Sequence, residues 1–212
     1  MTLLRPDAPI ADLEPYLARR LHPLGPYPSE ATLSDFDLNP DRRPEVELPL
    51  TPAAVLAPLV EREIGLTVLL TRRSDRLKRH SGQVAFPGGR AEPGETPVET
   101  ALRETYEEIG VEPRFIRPIG MGETYATTTG FAITPVVALV SPGFAIVRQE
   151  EEVAEVFETP LAFLMDPANH ELRAQLDEDG RERRYYLMAY QMRDIWGATA
   201  AILHSLYQRW FV

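Results

Sequence analysis

The chain has 212 residues and a net charge of −10 at pH 7, which argues against general nucleic-acid binding through a basic surface. It contains no cysteine, so disulfides, thiolate nucleophiles and cysteine-bound zinc are excluded. The longest uncharged run, 131–147, is interrupted by Pro135 and by Pro142-Gly143, and it predicts two strands instead of a membrane span. The N-terminus lacks a signal-peptide pattern, and we therefore expect a soluble cytoplasmic protein.

The first 51 residues are rich in proline and predict an N-terminal arm. Within it, Ile10 to Leu21 predicts a short amphipathic helix, and 23–49 predicts an extended segment on the surface of one following domain, 52–212. The arm shows no catalytic constellation. A contact in a homodimer is one role that it could serve.

Several short apolar segments of the following domain predict strands, and the first two, 53–60 and 66–71, predict a hairpin. Helices are expected after Thr96, over 161–165 and over 198–210. Mixed strands with two long helices indicate an α/β sandwich. The further strands are predicted over 83–86, 115–120, 133–140 and 153–157, with a second hairpin over 171–175 and 183–192.

The helix that begins after Thr96 carries clear end signals. Thr96 is placed to cap its N-terminus, Glu99 completes a T-x-x-E capping box, and Gly110 stands where a left-handed C-cap is expected. Three carboxylates, Glu104, Glu107 and Glu108, follow the i, i+3, i+4 spacing and so fall on one side of this helix.

Three neighbouring carboxylates repel one another and weaken a helix. Beside a glycine loop, 87–89, they indicate a bound hard cation, and oxygen-only sites suit Mg²⁺ or Mn²⁺. A bare cluster of this kind is more often a solvated acidic face, so the surrounding residues must decide between the two interpretations.

The surrounding residues resemble the Nudix box, G-x5-E-x7-R-E-U-x-E-E-x-G-U, in which U is a bulky apolar residue. Every fixed position matches, and the one departure is Thr105 at an apolar position, where its hydroxyl can bond to the carbonyl of Ala101. The resemblance implies a Nudix-type α/β/α sandwich with a mixed sheet and a loop–helix box. The matching residues are Gly89, Glu95, Arg103, Glu104, Glu107, Glu108, Gly110 and Val111.

The resemblance also implies roles in metal-dependent pyrophosphate hydrolysis. Glu104 and Glu108 would be the principal metal ligands, with Glu107 binding directly or through water and the Gly88 carbonyl as a further ligand. Arg103 would pair with Glu95 and support the site. The general base would be a glutamate of the box, Glu107 or Glu108, or one in the distant loop 150–152, where we take Glu151 as the candidate.

A basic stretch, 72–81, lies just upstream and holds five arginine and lysine residues against one acid. Such a concentration beside a metal-binding helix predicts an anionic ligand.

The segment 69–89 resembles the L-L-T-x-R-[SA]-x3-R-x3-G-x3-F-P-G-G signature of the coenzyme A pyrophosphatase branch of the Nudix hydrolases. Lys78 stands where that signature has arginine and lacks the planar fork. The substrate-binding residues implied are Arg73, Ser74, Lys78, Gly82 and Phe86.

This second resemblance implies cleavage of coenzyme A to 3′,5′-ADP and 4′-phosphopantetheine, with the basic stretch pairing with the 3′-phosphate of the ribose. A Nudix pyrophosphatase acting on ADP-ribose, NADH or a dinucleoside polyphosphate is the alternative within the same chemistry. A non-catalytic ligand-sensing Nudix domain is the alternative of another class, and the intact box argues against it.

Overall fold

The computed structural model describes residues 4–43, 49–77, 80–177 and 180–212. Four α-helices and twelve strands are found in these residues. The helices are α1 (Ile10–Ala18), α2 (Pro97–Ile109), α3 (Leu161–Leu164) and α4 (Ala198–Phe211). The strands are β1 (Leu33–Ser34), β2 (Thr51–Arg62), β3 (Gly65–Arg73), β4 (Val84–Ala85), β5 (Gly88–Arg90), β6 (Ile116–Met121), β7 (Tyr125–Ala126), β8 (Phe131–Val140), β9 (Val153–Pro160), β10 (Glu171–Leu176), β11 (Glu182–Tyr190) and β12 (Arg193–Trp196).

A mixed sheet forms the centre of the fold, in the order β1-β7-β8-β2-β3-β4. Its middle pair, β2 and β8, runs parallel, while β2 and β3 form the predicted antiparallel hairpin. Strands β5, β6 and β9 pair with β2, β8 and β3, and β10, β11 and β12 make a separate small sheet. The glycine strand β5 thus ends up beside the centre of the main sheet.

Side chains of the central strands point alternately to the two faces of the main sheet, and both faces are buried. On one face, Leu56 and Val136 pack with Ala101 and Ile109 of α2. On the other face, neighbouring strand residues pack with side chains of α1, α3 and α4. The predicted α/β/α sandwich with a mixed sheet is therefore confirmed.

The N-terminal segment is joined closely to this core. Leu13 and Leu17 of α1 are fully buried, and the Tyr16 hydroxyl donates to the Trp210 carbonyl of α4 at 2.6 Å. Strand β1 then pairs in parallel with β7. The division into an arm and a domain at residue 51 stays a prediction.

Two strand predictions fail where the backbone has other partners. Residues 141–149 contain no strand, because the Val147 and Gln149 amides donate to the last carbonyls of α2, those of Ile109 and Glu108. Strand β11 ends at Tyr190 instead of Met192, and a turn there leads into β12, which we did not predict. Within the described part of the chain, no helix is both long and apolar enough to span a membrane.

Candidate active site

Helix α2 begins and ends as its sequence predicts. The Thr96 hydroxyl accepts from the Glu99 amide, and the Glu99 carboxylate accepts from the Thr96 amide, which completes the capping box. Gly110 ends the helix in the left-handed conformation, with φ 73°. The Thr105 hydroxyl donates to the Ala101 carbonyl at 2.6 Å, so the one departure from the box motif is accommodated inside the core.

Arg103 holds the glycine loop and the helix together. Its guanidinium donates to Glu95 at 2.7 and 3.1 Å, to the Arg90 carbonyl at 3.1 Å, to Glu104 at 3.0 Å and to Glu107 at 3.2 Å. This pairing keeps the pKa of Glu95 at about 2 and raises that of Arg103. The predicted supporting role of Arg103 and Glu95 thus has a geometric basis.

Glu108 is the most enclosed of the three helix carboxylates, with 5% of the residue exposed. Burial raises its pKa to about 8, as do the like charges of Glu104 and Glu152, although the Gly88 amide and Arg73 act in the opposite direction. The Gly88 amide donates to its carboxylate at 3.2 Å. A carboxylate with this much unfavourable burial would be stabilised by a nearby cation.

Glu104 occupies the space beside Gly89 that a side chain would otherwise take. A Cβ on Gly89 would lie 2.5 Å from the Glu104 carboxylate, so the absence of a side chain lets loop and helix meet. Glu107 is different, because it is mostly exposed and its contact is with Arg103. The glycine loop is therefore shaped around Glu104 and Glu108.

The donor chemistry of this site fits a hard divalent cation, since carboxylate oxygens of Glu104 and Glu108 lie beside backbone of the glycine loop. Among the described residues, however, no three His, Asp or Glu side chains are grouped closely enough to hold a metal ion. Arg103 draws Glu104 and Glu107, whereas Glu108 turns to Gly88. The predicted ligand set of Gly88, Glu104, Glu107 and Glu108 stays a prediction that requires these contacts to rearrange.

The loop that contains the three consecutive glutamates is tied to the box. Its Gln149 amide donates to the Glu108 carbonyl, and the Glu152 carbonyl accepts from the Ser74 amide, both at 2.8 Å. The charge of Glu152 helps to raise the pKa of both Glu104 and Glu108. Glu152 is thus a loop glutamate whose charge acts on the box, and the role of the predicted Glu151 stays a prediction.

The cations of the basic stretch have different surroundings. Arg72 pairs with Asp75 and Glu155, which leaves it little freedom to bind a ligand. Within the described part of the chain, the Nε of Arg73 is buried without a hydrogen-bond partner, and the charge of Arg73 acts on Glu108. Lys78, which we predicted to bind substrate, and Arg79 lie outside the described residues.

The other predicted substrate-binding residues lie beside Arg73 or beside the glycine loop. Ser74 is buried, and its hydroxyl accepts from the Arg76 amide, which closes the turn that follows β3. Gly82 adopts φ 70°, and its amide donates to the Arg73 carbonyl. Phe86 is buried beside the glycine loop. Ser74 and Gly82 thus shape the backbone that carries Arg73.

A cavity of 480 Å³ opens beside the box, a size that suits a small-molecule ligand. Arg73, Gly88 and Gly89 line one part of it, and Arg183 and Trp196 of the small sheet line another. The remaining wall is largely apolar and comes from Val84, Phe86, Phe131, Ile133 and Ile202, among others. The cavity therefore offers cationic and aromatic groups next to the candidate metal site.

The family model for the NUDIX domain matches residues 50–189 of this chain. The chain belongs to the Nudix hydrolase family. An uncharacterized Nudix hydrolase, NudL, from Yersinia enterocolitica is 42% identical over 158 residues, which are 74% of this chain and 80% of that protein. The NudL of Pectobacterium atrosepticum is 38% identical over 188 residues, 84% of this chain and 95% of that protein. As a Nudix hydrolase, the protein acts on nucleoside diphosphate derivatives, with the divalent metal ions that this family uses.

Two solved structures are similar to this chain at low sequence identity. A MutT/nudix family protein from Enterococcus faecalis has a TM-score of 0.46 and 18% identity, covering 95% of this chain and 74% of that one. The MutT protein of Methanosarcina mazei has a TM-score of 0.46 and 24% identity, covering 57% and 84%.

Four residues near the Nudix box were not predicted as site residues: Tyr27, Asp35, Arg183 and Trp196. Asp35 accepts from the Tyr125 hydroxyl and the Thr128 amide, both at 2.8 Å, and so holds the turn that edges the cavity. Trp196 lies in the segment 194–200, D-I-W-G-x-T-A, which resembles the coenzyme A pyrophosphatase branch more weakly than 69–89 does. The others reach the site through long-range packing that no local pattern indicates.

Proposed function

We propose that this Nudix hydrolase cleaves the pyrophosphate of coenzyme A, giving 3′,5′-ADP and 4′-phosphopantetheine. The observation that carries the proposal is the continuity of two motifs, 69–89 and 89–111, whose residues Arg73, Phe86, Gly88 and Gly89 line one cavity. Coenzyme A supplies matching chemistry: a diphosphate for the box, an adenine ring for an aromatic wall, and an additional phosphate for a cation.

Mg²⁺ or Mn²⁺ would be held by Glu104 and Glu108, with Glu107 and the Gly88 carbonyl as further ligands. When bound, such an ion lowers the pKa of a water molecule and neutralises charge on the diphosphate. Arg73 is suited to hold a diphosphate oxygen, since its buried Nε has no hydrogen-bond partner among the residues that the structure describes. A hydrogen bond from this Nε to the substrate would remove the free-energy cost of leaving a buried donor unpaired.

The chemical step forms a bond from a water oxygen to one phosphorus and breaks the bond from that phosphorus to the bridging oxygen. The proton of the water must pass to a base of the protein, and the bridging oxygen leaves with the other phosphate. Glu152 is the base that the electrostatics favour, because its charge already acts on Glu104 and Glu108.

The base is tested by changing Glu150, Glu151 and Glu152 singly to glutamine and measuring kcat. We expect Glu152→Gln to lower kcat by about 10²–10⁴, the usual effect of removing a general base. The same loss in Glu151→Gln instead would restore the assignment made from the sequence. If all three variants stay within a few-fold of wild type, the base lies outside this loop.

The substrate is tested by a product assay with Mg²⁺ that compares coenzyme A with ADP-ribose, for the wild type and for Glu108→Gln. We expect 3′,5′-ADP from coenzyme A, loss of this product in Glu108→Gln, and poor cleavage of ADP-ribose. Preference for ADP-ribose would overturn the coenzyme A assignment but keep the Nudix chemistry. If neither is cleaved, other diphosphates must be tried before a ligand-sensing role is considered.

The 3′-phosphate is tested by comparing coenzyme A with dephospho-coenzyme A. We expect Lys78→Ala to raise KM far more for coenzyme A, because only coenzyme A carries that phosphate. Arg183 of the small sheet also lines the cavity, so Arg183→Ala tests whether this arginine binds the phosphate instead. Arg184→Ala is the matched control, because the Arg184 side chain pairs with Glu182 on the surface. An equal effect of Lys78→Ala on both substrates would contradict the assignment, and a selective effect of Arg183→Ala would move the phosphate to the small sheet.

A further inference from the structure

A chain of hydrogen bonds joins the N-terminal segment to the Nudix box. The Tyr27 hydroxyl donates to Thr100 Oγ1 at 2.9 Å, and Thr100 Oγ1 donates to Glu95 Oε2 at 2.7 Å. Glu95 is in turn bound by the guanidinium of Arg103, whose Nε lies 2.7 Å from Oε1. Tyr27 is thus three contacts away from Arg103 and four from Glu104 and Glu107, which Arg103 also binds.

The direction of each bond in this chain is determined by chemistry. The Glu95 carboxylate, with a pKa of about 2, can only accept, so the single hydroxyl proton of Thr100 is used there. Thr100 Oγ1 must therefore accept from Tyr27. Because Thr100 is fully buried, no water competes for these positions, and its rotamer is held from both sides.

Arg103 is shared between an anchor and the candidate metal ligands. Glu95 holds it on the loop side, while Glu104 and Glu107 attract it on the helix side. If Glu95 were less firmly held, the guanidinium would move towards Glu104 and Glu107 and compete with a cation for their oxygens. The strength of the Glu95 anchor therefore bears on how easily those carboxylates bind a metal ion.

We infer that Tyr27 is a positioning residue for the metal-binding carboxylates of the box, acting through Thr100, Glu95 and Arg103. It lies in the N-terminal segment, outside residues 50–189 that match the family model. Its ring packs against the α2 side of the core, and Tyr27 lines a cavity together with Glu95, Arg103 and Glu104. The inference rests on the proposed metal site but not on the proposed substrate.

The test is Mn²⁺ binding by the full chain without substrate, followed by the electron paramagnetic resonance signal of free Mn²⁺. We expect Tyr27→Phe, which removes one hydroxyl and keeps the ring, to weaken Mn²⁺ binding about threefold to tenfold, the scale of one hydrogen bond. Thr100→Val should have a similar effect, and Thr100→Ser should restore wild-type binding. Because the two residues act in series, the double variant Tyr27→Phe/Thr100→Val should bind no more weakly than Thr100→Val alone.

Tyr16→Phe is the matched control, since it removes a hydroxyl that also donates from the N-terminal segment, to the Trp210 carbonyl on the opposite face of the sheet. It should lower stability and leave Mn²⁺ binding unchanged. The inference is overturned if Tyr27→Phe behaves like Tyr16→Phe, or if the effects of Tyr27→Phe and Thr100→Val simply add. A wild-type chain that binds no Mn²⁺ would overturn the metal site itself, whereas cleavage of ADP-ribose alone would leave the inference intact.

Discussion

Among single residues, Glu108 lowers the free energy of unfolding when its carboxylate is ionised. Its carboxylate is buried next to other acids, and its pKa of about 8 lies well above the usual value of 4.5. The folded chain therefore holds this proton more tightly than the unfolded chain does. Between pH 4.5 and 8, the free energy of unfolding must fall as pH rises, and above pH 8 the loss is complete.

We accordingly predict that Glu108→Gln stabilises the metal-free protein at pH 8 and above, by on the order of 1–3 kcal/mol. The advantage should shrink as pH falls and disappear near pH 4.5, where the wild-type carboxyl is protonated in both states. Urea unfolding of both proteins at several pH values, in the presence of a chelator, measures this difference in the free energy of unfolding. A difference that does not change with pH would mean that burial of the charge is not its cause.

Arg103 and Glu95 make the opposite contribution, since their pairing lowers the pKa of Glu95 and holds the loop on the helix. The stability that this pair adds is present above the usual pKa of a glutamate and is lost as pH falls towards 2. The same few residues thus contain one stabilising pair and one destabilising carboxylate, which is typical of an active site.

The site depends on the glycine strand β5 and on helix α2. The two glycines of β5, Gly88 and Gly89, act differently. A Cβ on Gly88 would lie 2.4 Å from the backbone carbonyl oxygen of Ala54, whereas the three atoms nearest to a Cβ on Gly89 all belong to the Glu104 carboxylate. Gly88 is therefore needed for the sheet to form, and Gly89 for the position of a carboxylate.

We predict that Gly89→Ala keeps the fold but lowers kcat at least about tenfold, because the Glu104 carboxylate must move by an ångström or more. Gly88→Ala should instead lower the midpoint of urea unfolding. Gly25→Ala, where a Cβ would have no neighbour within 4 Å in the described part of the chain, serves as the control and should change neither kcat nor the unfolding midpoint. Unchanged kcat in Gly89→Ala would contradict the importance of the Glu104 position.

For the molecule as a whole, the N-terminal segment contributes to both faces of the sheet. Helix α1 buries Leu13 and Leu17 in the core that α4 completes, and Tyr27 lies on the face covered by α2. Asp35 holds the turn beside the cavity. A segment without a catalytic motif thus supports the site from two directions, and the predicted homodimer contact remains a prediction.

We predict that Leu17→Ala costs about 2–5 kcal/mol of unfolding free energy, as expected for a fully buried leucine, and that unfolding remains one cooperative transition. Leu24→Ala, at an exposed position of the same segment, is the control and should cost less than about 0.5 kcal/mol. Two separate transitions in chemical denaturation would show instead that the segment unfolds independently of the sheet.

The local features of the fold could be predicted because each depends on a short stretch of chain. The ends of α2 follow from Thr96, Glu99 and Gly110, and the β2–β3 hairpin follows from two apolar segments around a polar turn. The second of the two strands predicted in 131–147 is wrong, because the apolar pattern after Pro142-Gly143 is the same whether its amides join a sheet or cap a helix end. That choice depends on the distant carbonyls of α2.

By itself, the sequence determined the capped helix and the i, i+3, i+4 carboxylates, since these depend on spacing along the chain, and its resemblance to the Nudix box implied the Arg103–Glu95 pair and the α/β/α class. Only the tertiary structure decided that Glu108 is buried while Glu107 is exposed, and that the charge of Glu152 acts on Glu108. It also decided that Tyr27 reaches the box and that Arg183 and Trp196 line the cavity. The physical reason is that burial, pKa and hydrogen-bond direction are set by neighbours far away in sequence, which no local pattern specifies.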